Sequence, residues 1–407
     1  MSVKSASGQH TLREQNLALV AQEIFLAPTP ISRATVSGRT GLTRATVSAL
    51  VDFLVDASIV AELEPVAPKG AGRPAVPLVP AKGTYFGIGL EVTVTSLVGV
   101  IYDLTGTQLA HLEILHRPNL SPDQTFQALA RLTTELIARA SKQVAAPPGV
   151  TPVIAGVALA LPGLVDPNSG SLRIAPNLGW QNLDPVDTSA IAFAIAEATG
   201  QNVTVTIGNE AKFGAIAQTF SSDLSTFIYV SSDVGIGSTI MMNGAPFFGR
   251  RGWSGELGHV TIDPDGPRCT CGSLGCLEQY AGRNAVFKAA GLDQDAHLHD
   301  LLSRVQDGPG LEAIGRAGAA LGAALSDYVN LIDIDTIVLG GIYAPLTPFL
   351  QPVIVATLKD KVLSAQWSQF SVVAAPVEFD AAPIGAARQV LRGVYEHPAQ
   401  WINQEPV

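Results

Sequence analysis

The chain has 407 residues, 47% of them apolar and only 15% charged, with a formal net charge of −10. That length predicts two or three domains rather than one core, and that charge excludes a protein coated over its whole surface with nucleic acid. No apolar run reaches the roughly 20 residues of a membrane span and the first ten residues lack a signal peptide's apolar segment, so a cytoplasmic chain with no membrane partner is expected.

The charge is unevenly placed. Residues 1–82 carry eight Lys/Arg against six Asp/Glu, a net +2, and the remainder carries −12. Helical periodicity runs to about residue 62. Within it Ile31–Asp56 breaks into a short helix, a Gly41-Leu42 turn and a longer helix starting at Thr43, the pattern of a helix-turn-helix. Leu42, Val47, Leu50, Val51 and Leu54 share one apolar face, while Thr43, Arg44, Thr46 and Ser48 offer small, polar or basic groups to a major groove. Arg33 joins them as a candidate DNA contact. The alternative is an ordinary amphipathic hairpin, and Gly38 inside the first helix costs up to about 1 kcal/mol relative to alanine. Ile59–Leu63 then reads as a strand, and the Pro/Gly-dense 65–83 as a wing and linker, with cations Lys69 and Arg73 at the wing tip; Arg73 suits the minor groove.

Beyond Thr84, Tyr85–Val92, Thr95–Asp103 and Gln108–His116 predict three consecutive strands with a tight turn at Thr105-Gly106. Ser121–Val144 predicts a helix capped by Ser121 with Pro122 at its first position. Val153–Leu161 is a buried strand.

All three cysteines fall in Cys269-Thr-Cys271-Gly-Ser-Leu-Gly-Cys276, ten residues after His259. His259, Cys269, Cys271 and Cys276 form a Cys3His set, suited to tetrahedral Zn²⁺ in a closed, structural site. Thiolate zinc ligands with no cysteine left for disulfides fit a reducing compartment. The glycine-rich loop around the cluster has no large core of its own, so the metal is expected to fix Glu256, in Gly255-Glu256-Leu257-Gly258-His259, and Glu278, two residues past Cys276. Carboxylates held this way accept hydrogen bonds from vicinal hydroxyls, as in a sugar.

The run from Gly255 to Tyr280 closely resembles the signature of the ROK family of sugar kinases and sugar-responsive repressors. The resemblance extends to Leu161–Asp166, Pro176-Asn177, Asn209-Glu210-Ala211 and Val338–Gly341. It implies an α/β chain with an N-terminal winged helix-turn-helix (1–82) on a two-lobed actin/hexokinase-like body. The first lobe would be 83–200, and the second 201–407, with the zinc motif and C-terminal helices closing on the first lobe. It implies further that Gly163, Asn177, Asn209, Glu210, Glu256, His259 and Glu278 line one sugar-binding cleft.

The resemblance also separates repressor from kinase. Where the family's kinases carry Asp-x-Gly-Gly-Thr-Lys to cradle ATP phosphates, this chain has Gly89-Leu90-Glu91-Val92-Thr93-Val94; Glu91 replaces a glycine with an acid that repels phosphate. Where they carry Asn-Asp with a general base, it has Asn209-Glu210, one methylene longer. The Gly-Arg-Pro step at Gly72–Pro74 resembles the repressors' wing. The expected protein is a repressor, not an enzyme, binding operator DNA and an unphosphorylated sugar effector as a homodimer or tetramer. The alternatives are an ATP-dependent sugar kinase with an N-terminal extension and a regulator answering to a protein partner.

Overall fold

The computed structural model describes residues 9–65, 75–115, 120–293, 296–305 and 308–402. Lys69, Arg73 and His116 lie outside them. The N-terminal module contains helices α1 (Gln9–Phe25), α2 (Arg33–Thr40) and α3 (Arg44–Asp56) and strands β1 (Ile31–Ser32), β2 (Val60–Glu62) and β3 (Pro77–Pro80). The strands form one antiparallel sheet in the order β1-β3-β2. Ser32 and Thr43 cap α2 and α3, each hydroxyl accepting from the backbone N–H three residues on, a device worth about 1 kcal/mol. Gly41 turns the chain between the helices at φ +74°, and Val36, Val47, Leu50, Val51 and Leu54 are buried beneath. Strand β3 was hidden in the sequence because prolines argue against a central strand. Here they stand at its two ends, and Leu78 and Val79 between them retain the N–H groups a ladder needs.

The body begins with β4 (Tyr85–Val92), β5 (Ser96–Asp103), β6 (Gln108–Leu115) and α4 (Pro122–Gln143). Asp103 Oδ1 accepts from the backbone of Thr105 and Thr107, which holds the β5–β6 turn. Ser121 and Gln124 form a capping box at α4 with Pro122 first in the helix. Then come β7 (Val153–Leu161), β8 (Val165–Asp166), β9 (Ser171–Ala175), β10 (Trp180–Leu183), α5 (Ser189–Thr199), β11 (Val205–Asn209) and α6 (Glu210–Thr219). The first sheet has the order β11-β7-β4-β5-β6. Strand β11 pairs parallel with β7, so the boundary expected at 200/201 falls one strand too early. Gly200 ends α5 in a left-handed turn, which reads as punctuation, yet the next strand completes the first lobe's sheet.

The second lobe adds β12 (Phe227–Ser232), β13 (Ile236–Met242), β14 (Ala245–Pro246), α7 (Glu278–Ala281), α8 (Arg283–Ala289), α9 (Leu298–Ser303) and α10 (Pro309–Ile332). It continues through β15 (Thr336–Gly341), α11 (Tyr343–Lys361), β16 (Ser371–Ala374), α12 (Ala381–Glu396) and α13 (Ala399–Ile402). Its sheet runs β14-β13-β12-β15-β16, with α10 and α11 sharing its core.

Helix α12 returns to the first lobe. A methyl on Gly87 or Gly89 of β4 would overlap the carbonyls of Ala387 and Pro383, and one on Gly385 would overlap Phe213 O of α6. Sheet, α6 and α12 are thus in backbone contact. The other end of α12 enters the winged-helix core: Leu391 and Val394 are buried with Leu17, Val20, Ile24 and Ile59. Tyr395 stacks on Phe25 with centroids 4.6 Å apart, and Tyr85 Oη donates to Ala57 O at 2.9 Å. Among the described residues no helix is long and apolar enough to cross a membrane.

Candidate functional site

A cavity of ≈ 410 Å³ opens between the lobes, and Gly163, Asn177, Asn209, Glu210, Glu256, His259 and Glu278 all line it. Their positions follow from local rules. Asn209 ends β11 and caps α6: its Oδ1 accepts from the N–H groups of Ala211 and Lys212, and its Nδ2 donates to Gly163 O at 3.1 Å. One amide hydrogen of Asn209 remains for a ligand. Glu210 opens α6, where the helix dipole favours a carboxylate, but its Oε2 is buried without a hydrogen-bond partner.

Glu278 opens α7 and accepts from Ile236 N–H through Oε2 at 3.1 Å. The approach requires a glycine, since a methyl on Gly235 would overlap Glu278 Oε2 and press on Asn177 Nδ2. Glu256 precedes a single turn, Leu257–His259, whose Leu257 is fully buried. Leu277 and Ala281 are likewise buried around Glu278. This corrects the expectation that the loop has little besides metal to hold it: both carboxylates are also pinned by neighbours in the second lobe's core. Backbone bonds from Ile262 N to Gly275 O and Cys269 N to Ser273 O brace the loop further.

Ligand atoms of His259, Cys269, Cys271 and Cys276 all lie within 4.8 Å of one another. The Cys271 and Cys276 sulfurs are 3.7 Å apart, and Cys269 Sγ is 3.8 Å from His259 Nδ1. A tetrahedron with metal–sulfur bonds of about 2.3 Å has edges of about 3.8 Å, so the four groups fit and could hold a metal ion. Nδ1 faces the thiols, which leaves Nε2 for the cavity the residue lines.

Burial dominates the electrostatics. It raises Glu210 to about 8, with the Glu256 charge adding to the rise. Burial raises Glu256 and Asp233 as well, and lifts Glu91 well above the usual carboxylate range, with Glu210, Asp233, Asp380 and Glu113 reinforcing it. Burial lowers Lys212, whose Nζ donates to Ser254 O at 2.9 Å.

Sequence reasoning missed part of the wall: Glu113, Glu378, Phe379 and Asp380 line the same cavity. Asp380, just ahead of α12, carried a signal in its helix-start position; Glu113, in β6, carried none.

In the N-terminal module, Thr43 and Arg44 are exposed and Thr46 and Ser48 half-buried. Arg33 is engaged internally, with Asp52 at 2.6 Å, Glu62 at 2.8 Å and Ser48 O at 3.0 Å.

Two sheets flanking a cleft, with helices α6 and α12 crossing between them, define an actin/hexokinase-type body, here preceded by a module of three helices and a three-stranded sheet. Residues 87–392 match the ROK family, and the chain belongs to that family. It is 30% identical over 371 residues to the xylose repressor of Bacillus subtilis (strain 168), covering 89% of this chain and 90% of that one. It is 28% identical over 378 residues to the DNA-binding transcriptional dual regulator NagC of Escherichia coli (strain K12), covering 90% and 89%. Among solved structures, a ROK family transcriptional regulator, homolog of the E. coli MLC protein, superposes with a TM-score of 0.77 at 25% identity over 96% of this chain and 99% of that one. A ROK glucokinase from Streptomyces griseus shares the fold over 75% of this chain and 98% of its own, with a TM-score of 0.60 at 22% identity.

Proposed function

We propose that the protein is a sugar-responsive transcriptional repressor that binds operator DNA through its winged helix and an unphosphorylated sugar between its lobes. The observation that carries this reading is that α12 joins the two sites. Asp380, Ala381 and Ala382 lie on the cavity wall, while Leu391 and Val394 lie in the winged-helix core. A sugar that binds one lobe closure better than the other shifts α12 and with it the DNA-binding module. In a homodimer or tetramer that shift changes the spacing of two recognition helices against half-sites one DNA turn, about 34–36 Å, apart.

Thr43, Arg44, Thr46 and Ser48 at the head of α3 are the proposed base readers, with the cations Lys69 and Arg73, outside the described residues, as further proposed DNA contacts. Arg33 is left out because its donors are spent inside the module. His259, Cys269, Cys271 and Cys276 would hold zinc, a structural ion that ties the loop bearing Glu256 and His259 to the start of α7. The protein is not a kinase on this reading, because Glu91 projects a carboxylate where a phosphate loop needs glycine, and Asp233, Asp380 and Glu113 add to the same field.

The experiment is selection of bound fragments from the source genome, followed by gel-shift competition with free sugars. A defined operator that one sugar releases is the expected result. A protein that selects no sequence, or that releases ADP from ATP in the presence of sugar, overturns the reading.

A further inference from the structure

The cavity is larger than a single sugar ring requires. A void of about 150 Å³ accommodates a six-membered ring such as benzene, and this cleft, open to solvent on one side, offers ≈ 410 Å³. Its carboxylates fall into two groups. Glu256 interacts with His259, Lys212 and Glu278, whereas Glu91 interacts with Asp233, Asp380 and Glu113. Glu210 belongs to both, coupled to Glu256 and to Asp233. The first group, with Asn177 and Asn209, makes a complete set of hydroxyl partners for one pyranose. The second has no task in that reading.

Two observations point to a ligand in the second group. Glu210 Oε2, at the junction of the two groups, is buried without a hydrogen-bond partner. A buried polar group left unpaired costs about 1–3 kcal/mol, a cost that a ligand hydroxyl would relieve. At the mouth of the same region stands Phe379, 69% exposed, between Glu378 and Asp380. An exposed aromatic face beside carboxylates is the combination that takes a sugar ring, whose C–H face stacks while its hydroxyls donate. Asp380 is held in place by His111 Nε2 at 2.9 Å. A phosphorylated or otherwise anionic occupant would place its charge beside Glu113 and Asp380.

We propose that the effector is a neutral disaccharide, with one ring among Asn209, Glu256 and Glu278 and the second over Phe379 among Glu91, Glu113 and Asp380. This rests on the sugar-responsive reading above and names its ligand class. Calorimetry on the full-length protein tests it with cellobiose, maltose, xylobiose and N,N′-diacetylchitobiose beside glucose, xylose and N-acetylglucosamine. We expect at least one disaccharide to bind about tenfold or more tightly than its own monosaccharide. Phe379→Ala and, independently, Glu113→Gln should then weaken the disaccharide about tenfold and leave the monosaccharide within about twofold. Monosaccharide binding that equals or exceeds every disaccharide, or that falls in step with the disaccharide in both variants, overturns the second subsite and leaves the sugar-responsive reading standing. Binding of none of the seven sugars overturns both.

Discussion

Across the cleft, residues 89–94 of the first lobe face the β12–β13 loop of the second. At the end of β4, Glu91 lines the cleft while Val92 packs into the first lobe's core. In the second, Gly235 and Gly237 persist because neighbours leave no room: a methyl on Gly235 would overlap Glu278 Oε2, and one on Gly237 would sit 2.9 Å from Ala211 Cβ. The protein's own packing therefore calls for glycine at both positions of the second loop.

The severest way to break that comparison is Gly235→Ala. Displacing Glu278 should reduce sugar affinity about a hundredfold and, as overpacking, lower stability by about 1–3 kcal/mol. Val92→Gly in the opposite loop should leave affinity within about twofold, and equal losses in calorimetry would erase the asymmetry. Cys271→Ser sharpens the comparison further. Metal analysis should show loss of about one zinc per subunit, but sugar affinity should fall only about tenfold, because Leu257 and Leu277 keep Glu256 and Glu278 anchored. Complete loss of binding would mean that the core contacts contribute little.

The pH dependence should be smaller and should involve both loops. Glu210 is raised in the folded chain to about 8, so the native state holds a proton that the unfolded state releases near 4.5. Its stabilisation is full below that pH and disappears as pH rises through about 8. Glu91 acts in the same direction. Thermal denaturation of the sugar-free protein should therefore fall between pH 5 and 8, and Glu210→Gln should flatten the slope; a rising profile contradicts the assignment. The smallest effect is expected from Glu91→Gln, which replaces a carboxyl that burial already holds well above the usual range and should change glucose 6-phosphate binding by less than about twofold.

Features whose chemistry is local were legible in the sequence. The cap Ser121, the helix start at Thr43, the Cys3His spacing and the three consecutive strand runs of β4 to β6 each depend on residues within a few positions. Features that depend on distant partners were not. Arg33 resembled a DNA-facing cation until Asp52 and Glu62 closed on it. Glu113, Glu378, Phe379 and Asp380 come from two segments some 265 residues apart in the chain, and only the return of α12 onto β4 brings them to one wall. The prolines of β3 hid a strand because their tolerance depends on where in a sheet they fall.

The shared core between the winged helix and α12 also bears on how such proteins can change over evolutionary time. Removing the first 82 residues would bare Tyr85, Val100, Tyr102, Leu391 and Val394 to water, a greasy scar on an otherwise folded body. A kinase cannot become a regulator here by simple fusion, nor the reverse by simple truncation. Either route needs matching substitutions along one face of the last long helix, so chimaeras that exchange only the DNA-binding module should aggregate unless that face travels with it.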